Sequence, residues 1–139
     1  MSYEPIIDSQ SALLATWQHL MQPLGFAGHS IWLLRIGPDR RAVPHLVEIA
    51  DSEVLPSGEE AAGFAEVLRL LDAGEVGGSF GFLRSRPGPG VVRADDRAWA
   101  AFLYDAGRVA GVDVEVVHLA TDESVVPLPL DEIGLSRTA

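Results

Sequence analysis

Residues 77–99 read GGSFGFLRSRPGPGVVRADDRAW, and this stretch decides the fold. From Gly78 to Arg84 the side chains alternate. Phe80 and Phe82 point one way and Ser79, Gly81 and Leu83 the other, the two-residue period of a strand. Pro87-Gly88-Pro89-Gly90 has to leave the sheet, because proline cannot donate to a ladder and glycine weakens it. Asp95 is expected to cap a helix in which Trp99, Phe102, Leu103, Ala106 and Val109 form one apolar stripe, closed by Gly111. Strand, rigid loop and helix in that order are a unit of an α/β protein, where the loop leaving a strand is a usual place for a site.

Toward the N-terminus, residues 1–8 read as a loose arm with Pro5 in it. Asp8 or Ser9 can cap a first helix, whose apolar positions run from Leu13 and Trp17 to Leu20 and Met21. Ser30–Ile36 and Val43–Ala50 read as strands joined by the turn GPDRR, an antiparallel hairpin. Ser57 and Glu60 have capping-box spacing and open a second helix with Ala61, Phe64, Ala65, Leu68 and Leu71 inward and Gly74 at its end. Toward the C-terminus, Val112–Leu119 alternates as a half-exposed strand, and Ser124–Leu130, with two prolines, reads as an edge strand. The order α-β-β-α-β-α-β-β predicts an α/β three-layer sandwich with a mixed sheet. It forms one domain over residues 1–139, with about 1–8 and 131–139 loosely ordered.

The chain has 139 residues, enough for one buried core. It carries a net charge of −10, so phosphate backbones and anionic membranes are poor partners, and no nucleic-acid or membrane binding is expected. No apolar run reaches the roughly 20 residues of a membrane span. The N-terminus lacks a secretory pattern, which makes the cytoplasm the default location. There is no cysteine, hence no disulfide, thiolate metal site or cysteine nucleophile. The ten basic residues are all arginine, and Arg84, Arg86, Arg93 and Arg97 fall within 14 residues.

The order of elements and the segment RSRPGPGVVRADD resemble a known family. The chain is similar to a divergent JAB/MPN-like domain of RadC-type layout, a metal-dependent isopeptidase-like sheet related to the cytidine deaminase fold. The resemblance spans roughly residues 12–128 and includes His118-Leu119 on a late strand. The family's site is His-x-His-Pro, a loop, then Asp at a helix start, with a Glu from an earlier strand. Here Arg84-Ser85-Arg86-Pro87 stands in place of His-x-His-Pro, Asp96 remains, and no carboxylate lies at His29–Ile31. Arginine offers no lone pair to a metal, and a catalytic zinc needs about three protein ligands. The resemblance therefore implies a metal-free relative without cofactor or catalytic residues, working as a binding or assembly module and pairing as a homodimer. The helix bearing Trp17 or the Pro127/Pro129 edge would supply the contact.

The candidate anion- or partner-binding residues are Arg84, Arg86, Arg93, Arg97, Asp95, Asp96 and His118. The arginines can grip a small anion bidentately, or pair with Asp95, Asp96 and neighbouring acids, which the excess of acid favours. Asp95 and Asp96 can be a paired-carboxylate site, or a cap and a charge complementing the helix dipole, the simpler role. His118 can be a general base or a hydrogen-bonded structural histidine. His19, His29 and His45 lack the paired spacing of a zinc site. Two other functions are compatible with these residues: a hydrolase with a rewired metal-free site using Asp95 or Asp96, His118 and an arginine, and an acidic inhibitor or chaperone for a basic protein.

Overall fold

The computed structural model describes residues 5–74 and 77–132, without the side chains of Pro44, His45 and Glu132. Ser9 starts the first helix: its hydroxyl oxygen accepts the Ala12 N–H at 3.0 Å, and α1 (Gln10–Leu20) follows. The hairpin forms as β1 (Ser30–Ile36) and β2 (Ala42–Ile49), paired antiparallel. Then come α2 (Glu59–Gly74), β3 (Ser79–Ser85) and α3 (Ala94–Ala110), which ends on Gly111 at φ 74°, a left-handed conformation that suits glycine. Short strands β4 (Asp113–Val114), β5 (Val117–Ala120) and β6 (Val125–Leu128) complete the chain before a 3₁₀ turn at Leu130–Glu132.

The sheet runs β2-β1-β3-β5-β6, with β4 pairing β3. It is mixed: β3 is antiparallel to β1 and parallel to β4 and β5. The two-residue period sorts its side chains onto two helical layers. Ile31, Leu33, Phe80, Phe82, Val117 and Leu119 pack with α2 and α3 through Leu68, Trp99 and Leu103. Leu34, Ile36, Leu83 and Ala120 pack on the other side with Leu13, Trp17 and Met21 of the α1 segment.

Several expectations need correcting. Residues 5–8 are not loose: Ile7 is buried, its N–H bonds the Arg40 carbonyl at 2.7 Å, and Ile6 pairs with Arg41. Residues 131–132 lie in the 3₁₀ turn, while 1–4 and 133–139 are outside the described residues. Trp17 itself is wholly buried in its own chain, and the α1 surface turned to solvent is Gln10, Ser11, Ala15, Gln18 and His19. Leu71 and Val109 leave their stripes and are exposed. Gly74 ends α2 without a left-handed turn; the positive φ comes at Gly77.

The strand expected over Val112–Leu119 breaks in two. The Glu115 N–H bonds the Phe80 carbonyl at 2.8 Å, and Arg40 takes the Glu115 carboxylate at 3.2 Å. All of β5 is buried rather than half-exposed, because both faces carry a helical layer. Two glycines permit close approach. A Cβ on Gly78 would stand 2.1 Å from the Ile36 carbonyl oxygen, and one on Gly107 would stand 2.2 Å from Val114 Cγ2.

Candidate functional site

Arg84 is the penultimate residue of β3, and Arg86 follows the strand by one residue. The strand period sends both toward α3 and turns Ser85 between them to the α1 side. The helix start supplies their partner. Asp96, in the first turn of α3, accepts the Arg93 N–H at 2.8 Å. Arg93, not Asp95, occupies the cap position, so the expected assignment of the cap to Asp95 is corrected. Asp96 satisfies one of the free N–H groups of the helix end with its side chain.

Arg86 grips Asp96 with two bonds, Nε to Oδ1 at 2.8 Å and Nη2 to Oδ2 at 2.8 Å. Its remaining N–H groups go to the loop. Nη1 donates to the carbonyls of Pro87 and Pro89 at 3.1 Å, and Nη2 to that of Val91 at 2.8 Å. A guanidinium has five N–H groups, and here all five are used. The Pro/Gly loop is thus wound around one cation. Arg84 adds Nε to Asp96 Oδ1, Nη2 to Asp95 Oδ2 and Nη1 to the Ser52 carbonyl, each at 3.1 Å. The Trp99 ring lies 5.8 Å from the Arg84 guanidinium carbon.

Arg84, Arg86 and Asp96 are 1%, 0% and 0% exposed. Two cations and two carboxylates balance, with Asp95 the one that reaches solvent. Burial pushes the Asp96 carboxyl up, but the hydrogen bonds from Arg86, the Arg93 amide and Arg84 override it and hold it below the ordinary carboxylate range. Bonding to Asp96 raises the Arg86 guanidinium against the pull of burial. The loop is also held from outside: the Asp122 carboxylate accepts the N–H groups of Gly88 at 2.8 Å and Phe26 at 3.1 Å, and Glu123 accepts that of Gly90 at 2.7 Å.

The structure therefore brings Arg84, Arg86, Asp95 and Asp96 together and leaves out the other three candidates. Arg93 contributes only its backbone N–H, and its guanidinium lies against Gly88, exposed. Arg97 is exposed on α3. His118 sits on the α1 side of the sheet, 2% exposed, with Nδ1 bonded to the Val116 carbonyl at 3.0 Å. Burial pushes its ring down to about 4, so it is neutral. An anion at Arg84 or Arg86 would have to displace a carboxylate. Arg93 and Arg97 are the basic groups there that face water. Among the described residues no three histidine or acidic side chains are grouped to hold a metal, and no helix is long and apolar enough to cross a membrane.

Sequence reasoning missed two features. The Ser52 carbonyl belongs to a segment with no motif of its own. Behind Ser85 lies an open cleft lined by residues from three separate stretches, among them His29, Ser30 and Glu48. No protein-family model matches this sequence, and a search of curated proteins finds no match.

Proposed function

We propose that this chain is a binding or assembly domain without a catalytic metal, a divergent relative of the JAB/MPN-like and cytidine deaminase-like sheets. The observation that carries the reading is Arg86. At the position that the sequence resemblance matches to a metal-binding histidine, a fully hydrogen-bonded guanidinium closes the loop onto Asp96. A group that donates from every N–H and owns no lone pair neither holds a metal nor polarises a substrate. Its work is to make the loop between β3 and α3 rigid, which is what a preorganised binding surface needs.

The partner is a protein, and a second copy of the chain is the first to look for. β6 is a sheet edge with Pro127 exposed, and α2 offers Val67, Leu70 and Leu71 to solvent. Native mass spectrometry of the purified full-length chain tests the reading. The expected species is a zinc-free oligomer or a stoichiometric complex with a protein partner. A chain carrying one zinc that is lost in Asp96→Ala would overturn it.

A further inference from the structure

Ser85 faces away from the buried arginines into an open cleft of about 350 Å³, within the size range of small-ligand sites. The cleft lies at one end of the sheet, where β1 and β2 meet the end of β3, with the 26–29 loop as its wall. Phe26, His29, Ser30, Glu48, Asp51 and Ser85 line it. Its floor is built from buried hydroxyls. Ser30 is 7% exposed and donates to Glu48 Oε2 at 2.7 Å, which orients that carboxylate. Ser85 is 1% exposed and accepts the Trp32 indole N–H at 2.8 Å. The wall is pinned, since the Phe26 N–H bonds Asp122 and the Ser52 N–H bonds the His29 carbonyl at 2.9 Å. Two carboxylates and no arginine line the cleft. A concave site of one sign concentrates its field on a ligand of the opposite sign.

We propose that this cleft binds a cationic nitrogen on a short carbon chain, an alkylammonium or alkylguanidinium group. The cation sits between Glu48 and Asp51, and the carbon chain lies against the Phe26 ring. Glu48 has one oxygen committed to Ser30 and turns the other to the ligand; the Ser85 hydroxyl supplies a further lone pair. Phe26, which also lines the cleft, supplies apolar surface for the carbon chain. The group can be a basic side chain of a partner protein or a free amine, and both present the same chemistry. The inference rests on the binding-domain reading for its purpose, while its residues are different ones.

Nuclear magnetic resonance titration of the full-length chain tests it, with n-butylguanidinium, the neutral pentan-1-ol and a capped Gly-Arg-Gly peptide as probes. The Trp32 indole N–H reports on Ser85 directly, and the amides of His29, Ser30 and Asp51 report on the wall and rim. Butylguanidinium should shift these signals and pentan-1-ol should not. The double variant Glu48→Gln, Asp51→Asn should weaken butylguanidinium about tenfold or more. Glutamine keeps an acceptor for Ser30, and asparagine tolerates the left-handed backbone of Asp51 at φ 57°, so the fold survives; an unshifted Trp32 signal in the unliganded variant checks this. Tighter binding of the peptide than of butylguanidinium assigns the site to a protein partner; equal binding assigns it to a free cation. Equal shifts from pentan-1-ol, silence up to the solubility limit, or an unweakened variant would each overturn the proposal. Zinc is assayed in the same samples. A zinc-loaded chain sinks the binding-domain reading whatever the cleft does, and a zinc-free chain with a silent cleft sinks the cleft alone.

Discussion

Asp96 receives hydrogen bonds from three residues while wholly buried, and this makes it the most consequential single side chain. Asp96→Ala would leave two buried guanidiniums short of a counter-charge, a defect that costs roughly 3–5 kcal/mol. Chemical denaturation should show that loss as a lower midpoint with little change in slope. Arg86→Lys keeps the charge but offers three donors in place of five, so it too should destabilise, and by more than Arg97→Lys on the exposed face of α3. Equal midpoints for the two lysine variants would mean that the loop does not depend on the guanidinium. His118 adds a pH dependence. Its ring is pushed down from the ordinary 6.5 to about 4 in the folded chain. Between those values the unfolded chain takes up a proton that the folded chain refuses, so stability falls as pH drops from 6.5 toward 4. The full effect is about 3 kcal/mol. His118→Leu should flatten that limb of the stability profile. Asp96 acts lower on the scale: its contribution is present above the ordinary carboxylate pKa and is lost as pH falls through its depressed folded value.

At the scale of elements, α3 is seated by contacts that a helical pattern does not advertise. Its Gly107 meets Val114 so closely that Gly107→Ala must push β4 or the helix aside, a cost of about 1–3 kcal/mol. Val114→Ala should recover part of it, and a double-mutant cycle measures the coupling; strict additivity would refute the contact as the cause. Tyr104 enters the end of the β5–β6 ladder, accepting the Val117 N–H at 2.9 Å and donating to the Leu128 carbonyl at 2.9 Å. Much of this level was legible in the sequence. The bounds of β1 emerge from its apolar run between glycines, and β3 from the Phe80/Phe82 alternation ended by Pro87. What was not legible depends on reach through space. The break between β4 and β5 involves Arg40, which sits at φ 65° on a distant turn and bonds Ile7, Ser79 and Glu115 together. The same arginine bonds Ile7 through both its side chain and its carbonyl, and its neighbours Arg41 and Ala42 hold Ile6 and Pro5. The cluster of arginines and aspartates is visible in the sequence as a pattern, and the excess of acid favours its pairing. Its burial was not visible, because it requires the loop carbonyls and Ser52 to converge.

Across the whole molecule, the single sheet joins two separate apolar layers, one around Trp17 and one around Trp99. Because β1 and β3 contribute to both, the layers should unfold together. Fluorescence-monitored denaturation of Trp17→Phe and Trp99→Phe, each compared with its own far-ultraviolet circular dichroism, should give coincident transitions. Two separated transitions would mean that the layers are independent. The buried arginine–aspartate set has a consequence for descent as well as for stability. Replacing Asp96 strands two guanidiniums in the interior, whereas replacing Arg84 or Arg86 leaves the other arginine paired with Asp96, and Asp95 in water, so the three positions are not equally free to change. Sequences that share this ancestry should lose an arginine before they lose Asp96, and an aligned set in which Asp96 is replaced while both arginines stay would refute this order.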